Sequence, residues 1–101
     1  MTPSRQQLLR RTQKMDIQID TYTLERAEER GTNEEEIRDV IETGIEIPAN
    51  HQRLGKAKVY EFRQKRHGKY YEQKRGEVFY IIEENMIITV TVYVFYGKWE
   101  S

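Results

Sequence analysis

The sharpest pattern in the chain is a two-residue alternation near its end. Over 86–96, Ile88, Val90, Val92, Val94 and Tyr96 fall on one side of an extended strand, and Ile87, Thr89, Thr91, Tyr93 and Phe95 on the other. β-branched and aromatic residues suit a pleated, half-buried surface. The Ile/Val side is therefore expected to pack on helices. The Thr/aromatic side is half-polar and open to a ligand. Two more strands are expected upstream, over 57–66 and 69–82, with a turn at His67-Gly68 between them. Gly76, inside the second, predicts a bulge. Glu83-Glu84-Asn85 closes the following hairpin, because Asn tolerates the positive φ of a tight turn.

The front half reads differently. Ile37, Val40 and Ile41 recur at helical spacing and Gly44 stops the run. Thr32 with Glu35, or Asn33 with Glu36, makes a capping box before them, and the acids of that first turn suit the positive helix end. Another helix is expected from a cap at Thr21 or Thr23 to Arg30, with Leu24 and Ala27 inward and Gly31 as its left-handed stop. Ile17 and Ile19 alternate with polar residues and fit a short strand. Pro48 keeps 45–50 extended. Thr2-Pro3 reads as the start of an N-terminal helix with a thin apolar stripe at Leu8 and Leu9. The expected organisation is a helical arm over 1–15 and one domain over 16–101. The fold class is α+β, with N-terminal helices packed on a twisted antiparallel sheet of about four strands.

Composition changes this picture little, but charge changes it more. A chain of 101 residues supports one modest core. Cysteine is absent, which excludes thiolate metal sites and favours a reducing compartment. No apolar run reaches membrane-spanning length and no secretory pattern opens the chain, so the expected location is the cytoplasm, with no membrane partner. The net charge is zero, yet the signs are segregated. Residues 1–14 carry Arg5, Arg10, Arg11 and Lys14 and no acid. Residues 25–46 hold nine acids against three Arg, and residues 53–75 hold nine bases against Glu61 and Glu72. A basic stretch beside aromatics is what a phosphate-binding surface needs. The same separation arises when acidic helices neutralise a basic sheet within one molecule.

His51 and His67 are the only histidines, sixteen positions apart in turns, and no carboxylate spacing joins them into a metal site. No cofactor motif is present. The constellation with chemical content is basic and phenolic: Arg63, Arg66, Lys69, Tyr70, Tyr71 and Lys74, with Lys56 and Lys58 upstream. Cations neutralise phosphate, and Tyr stacks on a base or donates a proton. RNA can be cut without His, by attack of the 2′-hydroxyl on the adjacent phosphate, with Lys accepting the proton and Arg holding the developing charge. A regular strand places Tyr71 and Lys74 on opposite faces, so a bulge near Gly76 is needed to unite them. The bland alternative is an edge strand charged against aggregation.

The stretch Arg26-Ala27-Glu28-Glu29-Arg30-Gly31-Thr32-Asn33-Glu34-Glu35-Glu36-Ile37 resembles the "R-x-x-x-R-G-I-S-x-x-E-I/V" helical hairpin of the family called domain of unknown function 4258. Tyr71-Glu72-Gln73-Lys74 looks like that family's "Y-x-x-K" strand, and the run from Ile87 to Gly97 like its closing "I-I-V-x-T-V-Y-x-x-Y-G" strand. The likeness spans roughly residues 17–98. That family is similar to the RelE/ParE-like toxins, which pack helices on a twisted antiparallel sheet and include ribonucleases. The resemblance implies Lys74 as base, Tyr71 as acid or stacking platform, and Arg63 and Arg66 as phosphate contacts; the basic stretch itself adds Lys69, Lys56 and Lys58 as expected nucleic-acid contacts. It implies a metal-independent endoribonuclease needing no cofactor, with RNA or the ribosome as target and an antitoxin protein as partner. Tyr22-Thr23 stands where the family often has "H-A", so any role of that His is lost here. The alternative function is a non-catalytic interaction module, or a domain that pairs with a second copy of itself.

Overall fold

A computed structural model describes residues 15–99. The helix expected from Thr2-Pro3 lies outside the described residues. The described residues form an α+β fold, with two helices against one face of a five-stranded sheet. In chain order the elements are β1 (Asp16–Gln18), α1 (Thr21–Arg30), α2 (Glu34–Thr43), β2 (Ile45–Ile47), β3 (Leu54–Arg66), β4 (Lys69–Glu83) and β5 (Met86–Gly97). The strand order is β1-β5-β4-β3-β2. The expected sheet of about four antiparallel strands is corrected in two ways. Two three-residue edge strands, β1 and β2, make five, and β1 runs parallel to β5, pairing Ile17 with Ile87. The sheet is therefore mixed, and a strand precedes the helices.

Local chemistry explains the helix ends. Asp20 caps α1, its Oδ1 accepting from Thr23 N–H at 2.8 Å. The expected caps, Thr21 and Thr23, are thereby displaced. Thr23 is fully buried instead, accepting from the Thr89 hydroxyl at 3.0 Å. With that phase the buried side of α1 is Thr23 and Ala27, and Leu24 stays exposed. Asn33 caps α2 through Glu36 N–H at 2.9 Å, and Ile37, Val40 and Ile41 are buried as their spacing predicts. Gly44 ends α2 where a side chain would run into the carbonyls of Val40 and Ala57.

Both long hairpins close on two-residue turns with positive φ at both positions. His67-Gly68 has φ 52° and 82°, and Glu84-Asn85 has 49° and 65°. The core joins Ala27, Ile37, Val40 and Ile41 of the helices to Val78, Tyr80, Ile87 and Val92 of the sheet. At mean burial energies of roughly 1.5–3 kcal/mol per large side chain, this contact fixes which sheet face the helices cover.

Two bulges set side-chain direction, and neither is at Gly76. Gly76 pairs in regular register with Lys58 and Val94. One shift lies between Phe79 and Tyr80, which pair with Thr91 and Thr89 and leave Val90 as the extra residue. This reverses the alternation within β5. Ile87 and Thr89 turn inward before the bulge, and Val92, Val94 and Tyr96 turn inward after it. The expected inward positions Ile88 and Val90 are thus exchanged for Ile87 and Thr89. The other shift lies between Glu61 and Gln64, where Phe62 and Arg63 oppose Glu72, and Arg63 takes a left-handed φ of 48°.

Gly76 faces α2, and a Cβ there would meet Val40 Cγ2 at 3.5 Å, an ordinary contact. Gly76→Ala is therefore expected to stabilise the fold by about 0.5–1 kcal/mol, by lowering the entropy of the unfolded chain. Denaturant midpoints check this, and a lowered midpoint contradicts it.

Candidate nucleic-acid interface

The basic strand residues separate into three groups. The first group caps a helix. The last carbonyls of an α-helix lack intrahelical partners and carry partial negative charge. At the end of α1, Glu29 C=O accepts from Arg66 at 2.8 Å, Arg30 C=O from the Tyr96 hydroxyl at 2.6 Å, and Gly31 C=O from Lys74 Nζ at 3.1 Å. Three successive carbonyls are satisfied by three sheet side chains. Gly31, at φ 89°, keeps this approach open, since a Cβ there would strike the Tyr96 hydroxyl and the Arg66 guanidinium. Lys74 Nζ also lies 2.7 Å from Glu36 Oε1, which in turn accepts from the Thr32 hydroxyl at 2.7 Å. The Lys74 side chain is only 12% exposed.

Aromatic rings fill the space among these groups. Tyr96 lies 5.1 Å from Phe62 and 5.5 Å from Tyr71. Arg66 stands 4.9 Å over Tyr96, Lys69 5.6 Å over Tyr71, and Lys74 5.9 Å from Phe62. Lys74 and Tyr71 therefore share one cluster, linked through Phe62 and Tyr96. The bulge that accompanies this is at Phe62-Arg63, not at Gly76. Phe62 and Tyr96 form the link, and neither was among the expected site residues. Their signal, an aromatic on each of two strands flanking Lys74, becomes visible only with the register. Burial pushes the Tyr96 phenol above its ordinary value, with Arg66 opposing and Glu36 reinforcing.

The second group ties α2 to the sheet. Lys58 Nζ contacts Asp39 Oδ2 at 2.7 Å and the Thr43 hydroxyl at 2.7 Å, and the Tyr60 hydroxyl donates to the same Asp39 oxygen at 2.6 Å. Lys56 lies farther along β3, opposite Glu46 and beside a groove lined by Ile41, Glu42 and Tyr80. Lys58 also lies 5.5 Å over the Tyr60 ring, which Lys74 reaches at 6.0 Å, whereas Lys56 stands apart.

The third group is free of the helices. Residues 64–72 of β3 and β4 pair only with each other, because β5 ends at Gly97, opposite Gln73. This hairpin end exposes Arg63, Lys65, Lys69 and Tyr70. Arg63 contacts Glu61 at 3.2 Å, and Lys65 and Lys69 form no ion pair with a described residue. Tyr22, where the resembled family often has His, is 53% exposed beneath Arg26 on the first turn of α1.

No group of three or more metal-ligating side chains occurs among the described residues, and no described helix is long and apolar enough to cross a membrane. Comparison with protein-family models, with curated proteins and with solved structures finds no match to this chain.

Hydrogen bonds from Lys58 first and Tyr60 second hold the Asp39 carboxyl below its ordinary value of 3.8. Burial, reinforced by that bond, pushes the Tyr60 phenol well above its own. A depressed carboxyl stabilises the fold fully above its unfolded pKa, about 3.9, and the contribution is lost as pH falls through the folded value. Wild-type stability should therefore decline more steeply below about pH 4 than that of Asp39→Asn. Unfolding free energies measured across the acid range check this, and parallel curves contradict it.

Proposed function

We propose that this protein binds RNA through the free end of the β3–β4 hairpin. The observation that supports this reading most is the division of labour among the cations. Lys58 and Lys74 are engaged by the acids of α2, and Arg66 by the end of α1. Lys65 and Lys69 instead face solvent beside Tyr70 and Tyr71, on a hairpin end with no neighbour strand, and the exposed Arg63 at its base shares its charge with Glu61. Phosphate binding needs unspent positive charge on a rigid support, and a twisted two-stranded ribbon held at its base by the aromatic cluster supplies both. The reading is in keeping with what the resemblance to the family called domain of unknown function 4258 implies.

A second reading goes one step further. The linkage of Tyr71 and Arg66 to Tyr96, of Lys69 to Tyr71 and of Lys74 to Phe62 favours an endoribonuclease of the RelE kind, with an antitoxin as partner. In that chemistry the 2′-hydroxyl proton passes to Lys74 as the oxygen attacks phosphorus, and the 5′-oxygen leaves with a proton from Tyr71. To act as base, Lys74 would first have to leave Glu36 and the Gly31 carbonyl and give its ammonium proton to solvent. Binding is therefore the reading the geometry favours.

Anisotropy of a labelled single-stranded RNA, measured across a salt series, tests the proposal. Each cation released from phosphate contact lowers the log–log salt slope by about 0.7 on single strands. Lys65→Ala/Lys69→Ala is expected to weaken binding to all sequences alike and to lower the slope by about 1.4. An unchanged slope contradicts the hairpin as the contact surface. On the same samples, shortened RNA with the wild type and intact RNA with Lys74→Ala would assign cleavage to the cluster. Intact RNA with both leaves binding alone.

A further inference from the structure

The helices cover one face of the sheet, and the opposite face is aromatic. Phe79 on β4 alternates with the inward Val78 and Tyr80 and so points outward. Beside it on β5 stand Tyr93, 40% exposed, and Phe95, 47% exposed. Phe79 meets Tyr93 edge-on at 5.9 Å, and the Tyr93 and Phe95 rings lie nearly parallel, 6.4 Å apart at 25°. Exposed large aromatics grouped on one surface mark a binding site more reliably than single exposed residues do.

We propose that this open face stacks the bases of the same single-stranded RNA whose phosphates the hairpin holds. The inference rests on the RNA-binding reading and names the form of RNA. Three observations favour this occupant. The first is charge. The Arg30 guanidinium reaches around the edge of β5, donates to the Val92 carbonyl at 2.6 Å, and lies 4.8 Å over Tyr93. Arg53 lines the groove beside Phe79, Thr91 and Tyr93. The acids nearby, Glu77 and Glu61, are held by Arg75 at 3.0 Å and Arg63 at 3.2 Å. The face thus keeps a positive balance suited to a phosphate chain.

The second is spacing. Residues two apart on a strand are about 6.6–6.8 Å apart, roughly twice the 3.4 Å rise per stacked nucleotide. Successive rings on β5 therefore meet bases that are spread apart, which a single strand permits and a duplex does not. The third is continuity. Phe95 pairs with Arg75, two residues from Gln73, where Trp99 N–H donates to the Gln73 side chain at 2.7 Å and the free hairpin begins. A strand lying along β5 passes directly onto the basic ribbon. A dry interface with a second copy fits less well, because it would desolvate the Arg75–Glu77 pair beside the rings.

Binding of a fluorescent single-stranded RNA and of the duplex of the same sequence, by the full chain, separates the possibilities. Preference for the single strand is expected. Phe95→Ala and Tyr93→Ala should each weaken single-strand binding about five- to a hundredfold, with the salt slope unchanged, because a ring neutralises no phosphate. Phe95→Leu, which keeps the apolar volume, should show most of the same loss, and thermal melts confirm that each variant is folded. Wild-type affinity in the ring variants, with a salt slope that still responds to Lys65→Ala/Lys69→Ala, overturns the stacking face and leaves the hairpin reading intact. A dimer by sedimentation that Phe95→Ala dissociates also overturns it, assigning the face to self-association. Absence of RNA binding by the wild type overturns both.

Discussion

The structure depends most on how the end of α1 meets the sheet. Helix ends leave carbonyls unpaired, and each hydrogen bond that satisfies one contributes about 0.5–1.5 kcal/mol, more when the donor is charged. Here Glu29, Arg30 and Gly31 present three in succession, and Arg66, Tyr96 and Lys74 satisfy them. Lys74 then reaches Glu36, which lies in the first turn of the next helix. One lysine thus joins the C-terminus of α1, the N-terminus of α2 and the middle of β4. Placing positive groups at the one helix end and an acid at the other agrees with the field of both dipoles. The glycine at position 31 follows from the same constraint, since any side chain would push Tyr96 and Arg66 away.

This arrangement decides what the basic residues can do. A cation already paired with a carboxylate and a carbonyl has less to offer an incoming phosphate than one in solvent. The charge separation visible in the chain therefore has two origins at once. Lys58 and Lys74 neutralise the acidic helices from within, whereas Arg63, Lys65 and Lys69 lie beyond the reach of those acids. The aromatic residues divide in the same manner. Phe62, Tyr71 and Tyr96 support the base of the hairpin, and Tyr93 and Phe95 face solvent on the uncovered side. The RNA reading is built on the solvent-facing members of each set.

Much of this architecture was legible before the fold was known, where one period or one cap decided the matter. Ile37, Val40 and Ile41 showed their burial, Gly31 its left-handed turn, and His67-Gly68 its hairpin. Three features were not legible, each for a stated reason. The bulge at Val90 has no glycine or turn residue to announce it, so the inward face of β5 was assigned correctly only from Val92 onward. The cap of α1 went to Asp20 over the neighbouring threonines because Thr23 is recruited by Thr89, sixty-six residues away. The parallel pairing of β1 depends on the path of the whole chain and leaves no local mark on three residues. For the candidate site, residue types pointed to the right stretch, but sequence spacing could not tell a capping lysine from a free one.

The most direct test of this account is a double-mutant cycle on Lys74 and Glu36, using Lys74→Met and Glu36→Gln and reading both unfolding free energy and RNA affinity. A coupling of about 0.5–3 kcal/mol in stability is expected, as for other contacting pairs, with RNA affinity in Lys74→Met equal to that of the wild type. A Lys74→Met protein of undiminished stability that no longer binds RNA would contradict it, and would make Lys74 a residue of the binding chemistry.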